Sequence, residues 1–191
     1  DPSVIDNYHG TSVADPYRWL EDDNSAETKS WVSAENAVTQ NFLKTIPQRD
    51  EIRERLEKLW NYPRIGLPEE QGGKWFFTKN SGLQNQSVLY VADALDAEPR
   101  VLLDPNTMSK DGTVSLAREQ PSEDGKLLAY ATSGGGSDWT EIRVRDIATG
   151  KDLSDHLKWV KFSGMSWAKD GSGFYYSRYD APKEGAALTQ K

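Results

Sequence analysis

The chain has 191 residues, with 30 acidic and 23 basic side chains and a formal net charge of −7 at pH 7. This acidic balance disfavours nucleic acid and anionic membrane surfaces as partners, because both attract clusters of Lys and Arg. Cysteine is absent, which excludes disulfides, thiol nucleophiles and Cys-based metal sites and leaves the redox compartment open.

The chain is predicted to begin with an extended, irregular arm over residues 1–14, followed by a short helix over residues 15–22. Asp15 has the side chain of an N-cap residue, and Pro16 suits the first helical position because its missing N–H is not needed there. The sequence therefore predicts that this helix begins at Asp15.

Two longer helices are predicted next. Asn24 or Ser25 can cap the first, which Pro47 ends, and Pro63 ends the second. Apolar residues recur at steps of three and four, as expected of helices with one apolar face; they are Trp31, Val38, Phe42, Ile52, Leu56 and Leu59. Because this segment has no predicted strand to cover those faces, we expect the helices to dock on another part of the protein.

From about residue 74 the apolar residues alternate with polar ones, which predicts strands. The predicted strands are 74–79, 86–93, 100–103, 127–133, 140–147 and 173–179. Residues 148–150 (Ala-Thr-Gly) predict a hairpin turn. The glycine-rich run 133–137 predicts a flexible loop between strands and not a phosphate site, because neither a helix nor Lys-Ser/Thr follows it.

One pattern occurs twice in the second half of the chain. Ser122–Tyr130 and Ala168–Tyr176 each contain a polar turn with Asp-Gly and then an apolar strand, and the two turns lie about 46 positions apart. Gly72-Gly73 begins a weaker copy. A strand-built repeat of this length is typical of one four-stranded blade of a β-propeller, although two unrelated hairpins are the simpler alternative. Since a propeller needs about four to eight blades, the sequence predicts part of a larger fold.

A complete active site is not predicted. Ser12 and Ser166 lie in near matches to the Gly-x-Ser-x-Gly elbow, but no helical pattern follows either, and Ser166 lies in an apparent strand. His156 follows Asp155, yet adjacent side chains diverge, so we expect this pair in a surface loop. His9 has no acidic residue at metal-ligand spacing. We therefore expect no metal and no cofactor.

Short motifs are spread in a fixed order across nearly the whole chain. They are Asp15–Asp22, Asn61–Pro63, Asn80–Tyr90, Leu103–Asn106, Asp111–Val114, Ser122–Gly125, Gly136–Trp139 and Val160–Trp167. Their order and spacing resemble the N-terminal portion of the prolyl oligopeptidase family of serine peptidases. The resemblance implies that residues 1–68 are a helical segment docked on an α/β-hydrolase domain. Residues 69–191 would then form about two blades, and the start of a third, of a seven-bladed β-propeller.

The resemblance also implies an activity for the complete protein. Members of this family are serine-type prolyl endopeptidases that hydrolyse short peptides on the C-terminal side of proline. Their Ser, Asp and His lie in the C-terminal part, so no catalytic residue is assigned here and this piece alone is expected to be inactive. Its partners would be short proline-containing peptides and the C-terminal α/β-hydrolase part. The alternative is a non-catalytic, partial-propeller binding module.

Three substrate-binding residues are implied by the resemblance. Phe162 resembles the propeller residue that forms an apolar wall of an outer substrate subsite. Lys161 and Asp138 resemble polar residues near the inner mouth of the propeller. Without the resemblance, Phe162 is better interpreted as a core aromatic of a blade, and Asp138 could equally cap a turn.

Overall fold

The chain folds as two units, which divide between Leu56 and Glu57. The structure, a computed structural model, describes residues 4–181. In the first unit the arm is not irregular: β1 (Ile5–Tyr8) pairs antiparallel with β2 (Thr11–Ala14). His9 and Gly10 both have positive φ, as a type I′ two-residue hairpin turn requires. The prediction of an irregular arm was wrong because these short strands are mostly exposed and carry no clear apolar alternation.

The short helix also differs from its prediction. It is a 3-10 helix over Arg18–Glu21, with Tyr17 in the N-cap position and no side-chain cap. Asp15 lies before it and accepts hydrogen bonds from Tyr17 N at 3.1 Å and from Arg18 Nε at 2.7 Å. Arg18 also contacts Asp6 of β1. Asp15 therefore shapes the entry to the helix and, through Arg18, ties it to the hairpin, but it does not cap it.

Two α-helices follow, α1 (Ala26–Lys44) and α2 (Arg49–Trp60). Of the two predicted caps, Ser25 is the one used, because its Oγ accepts a hydrogen bond from Thr28 N at 3.1 Å. Their apolar faces are 45% to 67% exposed at Trp31, Val38, Phe42, Ile52 and Leu56. Neither helix of residues 4–181 is both long enough and apolar enough to cross a membrane.

The second unit contains the remaining β-strands. The first sheet consists of β3 (Arg64–Ile65), β4 (Glu69–Gln71), β5 (Lys74–Asn80), β6 (Val88–Ala92) and β7 (Arg100–Leu103). β3 and β4 share one edge of β5, and β6 and then β7 extend the other side. All of its pairs are antiparallel.

The second sheet is a four-stranded antiparallel meander of β8 (Val114–Pro121), β9 (Leu127–Gly134), β10 (Trp139–Asp146) and β11 (Asp152–Lys161). A further hairpin joins β12 (Ser166–Trp167) to β13 (Phe174–Tyr175). The strand predicted over 173–179 is thus only two residues long, and β8 and β11 were missed because their exposed residues are polar. His156 lies in β11, so the prediction of a surface loop there was wrong.

The sheets stack face to face. One core lies between the first and second sheets and includes Leu89, Leu103, Leu128 and Tyr130. A second core, built on Ala129, Ala131, Ile142 and Val160, lies between the second sheet and the β12–β13 hairpin. Successive residues of β9 therefore enter opposite cores, as the two-residue period of a strand requires. The second sheet is covered on both faces.

The repeated Asp-Gly turns have the same local structure. Gly125 and Gly171 have φ of +66° and +70°, and each donates an N–H···O bond of 2.9 Å to the residue three positions earlier. Asp124 and Asp170 each accept a hydrogen bond from the amide two residues later, at 3.1 and 3.0 Å. Each turn joins the first two strands of its group, β8–β9 and β12–β13. The two Asp-Gly turns predicted from the sequence repeat are therefore confirmed as matching turns.

A polar clamp joins the first two sheets. Arg145 of β10 donates hydrogen bonds to Leu102 O of β7 at 2.7 Å and to both carboxylate oxygens of Asp152 at 2.7 and 3.1 Å. The Tyr130 hydroxyl donates to Asp152 at 2.9 Å. Burial opposes ionisation of Asp152, but the hydrogen bonds from Arg145 and Tyr130 outweigh it and lower its pKa. We call these four residues the Arg145 clamp.

Replacing Asp152 with Asn is expected to flatten the acid dependence of stability. The folded-state pKa of Asp152 is lowered, so its contribution is present above the unfolded value of about 3.9 and is lost as pH falls through the folded value. Urea denaturation from about pH 5 down to pH 2 measures this slope. An unchanged slope in Asp152→Asn would show that the clamp does not hold this carboxylate ionised.

Candidate functional site

The last residues of β11 leave the regular strand geometry. The register shifts between the Thr140–Val160 and Ile142–Leu157 pairs, which marks a β-bulge. Trp159 within the bulge has a φ of +64°, and Phe162, just after the strand, has a φ of +53°. Both lie in the left-handed region, which is unfavourable for bulky side chains. Such geometry persists only where surrounding contacts hold it, and it is concentrated at functional sites.

The three residues predicted to bind substrate lie together at this end of the second sheet. The Lys161 Nζ is 3.6 Å from Asp138 Oδ2, an ion pair without a short hydrogen bond. The same nitrogen lies 5.0 Å from the ring centroid of Phe162 and 5.4 Å from that of Trp139. The Lys161 side chain is only 8% exposed. Two aromatic rings and one carboxylate thus surround this ammonium group.

Phe162 itself is 79% exposed and belongs to neither hydrophobic core. Among the described residues, Phe162 is therefore not a core aromatic of a blade, which was the alternative interpretation of its sequence. The turn before β10 is capped by Ser137, whose Oγ accepts a hydrogen bond from Trp139 N at 3.1 Å. The Asp138 carboxylate instead faces Lys161.

Three aromatic residues that the sequence analysis did not assign to the site hold it in place. Trp139 makes edge-to-face contacts with Trp159, at 6.3 Å between centroids, and with Tyr179, at 5.5 Å. Tyr179 N donates a hydrogen bond to Trp159 O at 2.8 Å. Trp139 could have been found from its place in the Gly-Ser-Asp-Trp motif. Nothing in the sequence indicates the left-handed backbone of Trp159.

A shallow cleft of about 350 Å³ lies beside Phe162. Its lining includes Ser163, Ser166, Tyr175 and Tyr176. The exposed Phe162 ring can contact an apolar group of a ligand, and the half-exposed Asp138 carboxylate beside it can accept a hydrogen bond. The site is suited to binding.

Of the other sequence candidates, Ser166 lines the cleft beside Phe162, whereas His156 does not join this site. His156 Nε2 is 2.6 Å from Glu141 Oε2, across β10 and β11. His156 therefore pairs with Glu141 and not with Asp155, its neighbour in the sequence. Within residues 4–181, no three His, Asp or Glu side chains converge on a possible metal position.

Comparisons with known proteins agree with this architecture. A family profile described as the prolyl oligopeptidase N-terminal β-propeller domain matches residues 1–191. The prolyl endopeptidase of Elizabethkingia meningoseptica is 50% identical over 98% of this chain and 26% of its own length. That of Dictyostelium discoideum is 33% identical over 96% of this chain and 30% of its own length.

Solved structures give the same result. A prolyl endopeptidase structure matches with a TM-score of 0.81 and 35% identity, over 92% of this chain and 26% of that one. Prolyl oligopeptidase B from Galerina marginata, bound to a 25mer macrocyclization substrate, matches with a TM-score of 0.77 and 33% identity, over 95% and 29%. The chain thus spans between a quarter and a third of the length of these relatives. It belongs to the prolyl oligopeptidase family, within the part that forms the N-terminal β-propeller domain.

Proposed function

We propose that this chain is the N-terminal portion of a serine-type prolyl endopeptidase that hydrolyses short peptides on the C-terminal side of proline. The observation that carries the proposal is the family match over residues 1–191, together with relatives that are prolyl endopeptidases of about four times this length. The catalytic Ser, Asp and His would lie in the remaining part. There the Ser would attack the scissile carbonyl, with His as base and then acid.

Residues 1–68 would dock on an α/β-hydrolase domain in that remaining part. The exposed apolar faces of α1 and α2 support this role, because amphipathic helices derive most of their stability from the surface they bury. Residues 69–191 would supply about two blades and the start of a third of a seven-bladed propeller. The stacking of two sheets and a third hairpin, with matching Asp-Gly turns in the second sheet and in the hairpin, supports this division.

Phe162, Lys161 and Asp138 would face the bound peptide. The exposed Phe162 ring would form an apolar wall, and the half-exposed Asp138 carboxylate beside it would accept a hydrogen bond from a backbone N–H of the peptide. The propeller would exclude large folded substrates from the active site. In this proposal the present chain selects and holds the peptide while the missing part cleaves it.

The proposal is tested by assaying the complete polypeptide with a fluorogenic Gly-Pro substrate, next to the 191-residue chain and with intact-mass analysis of both. We expect proline-specific cleavage by the complete polypeptide and none by the chain alone. A folded, full-length protein without turnover would instead favour the non-catalytic binding module.

Replacing Phe162 with Ala in the complete polypeptide is expected to raise KM for a peptide substrate about three- to tenfold, with a smaller effect on kcat. The ring would contact substrate and transition state alike, so its loss weakens binding more than chemistry. Leu153→Ala is a suitable control, because Leu153 is an exposed apolar residue at the end of β11 far from Phe162. Equal KM values for both variants would show that Phe162 does not contact the substrate.

A further inference from the structure

A groove lies between the second sheet and the chain that follows β7. It consists of two hollows of about 370 Å³ each, which adjoin because Val114, Thr132 and Glu141 line both of them. One wall of the groove is β10, whose alternate residues Trp139, Glu141 and Arg143 share a face, as the two-residue period of a strand requires. We call this feature the β10 groove.

One half of the β10 groove is apolar. Trp139 and Trp159 form a corner there, with their ring centroids 6.3 Å apart and their planes at 82°. Val114 adds an aliphatic side chain to the lining. Lys158 also lines this half, and its charge would repel an ammonium group placed among the rings. This half therefore favours an uncharged apolar side chain.

The other half of the groove contains two opposite charges with hydrogen-bonding capacity to spare. His156 Nε2 lies 2.6 Å from Glu141 Oε2 and 3.3 Å from Arg143 Nη2. A ring nitrogen that donates to a carboxylate cannot also accept from a guanidinium. The shorter contact therefore leaves the Arg143 guanidinium without an acceptor among residues 4–181. Within the same residues, Glu141 has its second carboxylate oxygen, Oε1, uncommitted.

The remaining acidic groups of this half are held by their neighbours. Asp152 accepts hydrogen bonds through both oxygens within the Arg145 clamp. Asp104 caps the short 3-10 helix after β7, where its Oδ1 accepts hydrogen bonds from Asn106 N at 3.0 Å and from Asn106 Nδ2 at 2.8 Å. Glu141 and Arg143 are therefore the pair of charges that a ligand in the groove can engage.

The spacing of Glu141 and Arg143 fits the two ends of a dipeptide. The residues are two positions apart on one face of β10, so they lie about 7 Å apart along the strand. Two residues of extended peptide span about the same length between a free ammonium and a free carboxylate group, whereas one amino acid spans only about half of it. The Glu141 side chain is 47% exposed, so a ligand from solution can reach it.

We infer that the β10 groove binds a free dipeptide whose first residue is apolar. Its ammonium group binds Glu141, and its carboxylate binds Arg143 in a charge-assisted pair. Because Glu141 lines both halves of the groove, the first side chain enters the corner between Trp139 and Trp159. The inference goes beyond the proposed function, since recognition of the two ends of a peptide requires no cleavage.

Isothermal titration of the complete polypeptide with Leu-Ala tests the inference. This dipeptide contains no proline, so the proposed proline-specific site does not compete for it. We expect saturable binding to the wild-type protein and about tenfold weaker binding to Arg143→Met and to Glu141→Gln, because each variant loses one charge-assisted contact. Lys126→Met is the control, since it removes an exposed cation that pairs with Asp124 and lines neither half of the groove. Lack of saturation at millimolar peptide, or equal affinity of all four proteins, would overturn the inference.

Changes in the peptide give a second test that needs no variant protein. Acetyl-Leu-Ala lacks the ammonium group and Leu-Ala-amide lacks the carboxylate, so each is expected to bind the wild-type protein about tenfold more weakly than Leu-Ala. Gly-Ala leaves the aromatic half empty and is also expected to bind about tenfold more weakly. Equal affinities for the four peptides would contradict a site that reads both ends and the first side chain. Turnover of the Gly-Pro substrate is measured on the same preparation, and dipeptide binding without turnover would retain the groove site and reject the proposed function.

Discussion

Replacing Gly72 with Ala is expected to lower the free energy of unfolding by about 3 kcal/mol or more. Gly72 has a φ of +57°, and a Cβ there would lie 2.2 Å from Gly125 N and 2.4 Å from the carbonyl carbon of Asp124. Both atoms belong to backbone, which cannot move aside as a flexible side chain does. The β4–β5 turn would have to separate from the β8–β9 turn, and this would open the packing of the first two sheets.

The neighbouring glycine provides a matched control. Gly73 has a similar φ of +74°, but a Cβ there would meet nothing within 4 Å. Gly73→Ala should therefore show only the backbone cost of a left-handed Ala, about 1 kcal/mol. Urea denaturation of both variants beside the parent protein measures the difference. Similar losses for the two variants would mean that the contact between the turns does not contribute to stability.

Replacing Arg145 with Met is expected to lower the free energy of unfolding by about 2 to 3 kcal/mol. The change removes the hydrogen bond to Leu102 O and both hydrogen bonds to Asp152, and it leaves that carboxylate with Tyr130. We expect a smaller loss of stability than for a fully buried ion pair, because the Asp152 side chain is 32% exposed and partly screened by water.

A control variant and a double variant test the Arg145 clamp. Lys126→Met breaks the exposed ion pair with Asp124 and should leave stability nearly unchanged. Arg145→Met combined with Asp152→Asn should be less destabilised than the sum of the single variants, because the double variant has no unpaired carboxylate. Chemical denaturation of the four proteins gives the coupling energy. Strict additivity would contradict a clamp.

The sequence predicted the inner strands and the edge strand β7, but it missed other edge strands. The strands inside the sheets are β5, β6, β9 and β10. Their apolar residues pack in the cores, so the apolar pattern of a strand was visible in the sequence. β8 and β11 form the edges of the second sheet and carry exposed polar residues, which hid them. The β1–β2 hairpin was missed for the same reason. Turn chemistry was more reliable, since Asp-Gly marked two hairpins correctly.

The candidate site depended on information that local patterns do not contain. Phe162, Lys161 and Asp138 came from the family resemblance, and their proximity appears only when β10 and β11 are paired. The left-handed backbone of Trp159 and Phe162 is imposed by contacts from elsewhere in the fold, so no propensity predicts it. Trp139 and Tyr179 support the site through ring contacts between segments far apart in the sequence.

The repeated turns also bear on the order of folding. Ser122 N bonds to Leu127 O at 2.8 Å and Ala168 N to Gly173 O at 2.9 Å, so each hairpin is closed by residues only a few positions apart. Closing such short loops costs little chain entropy, and isolated hairpins form within about 1 to 10 microseconds. Contacts between sheets span far longer loops and must follow. We therefore expect a polarised transition state in which the turn-closed hairpins are ordered early and the Arg145 clamp forms late.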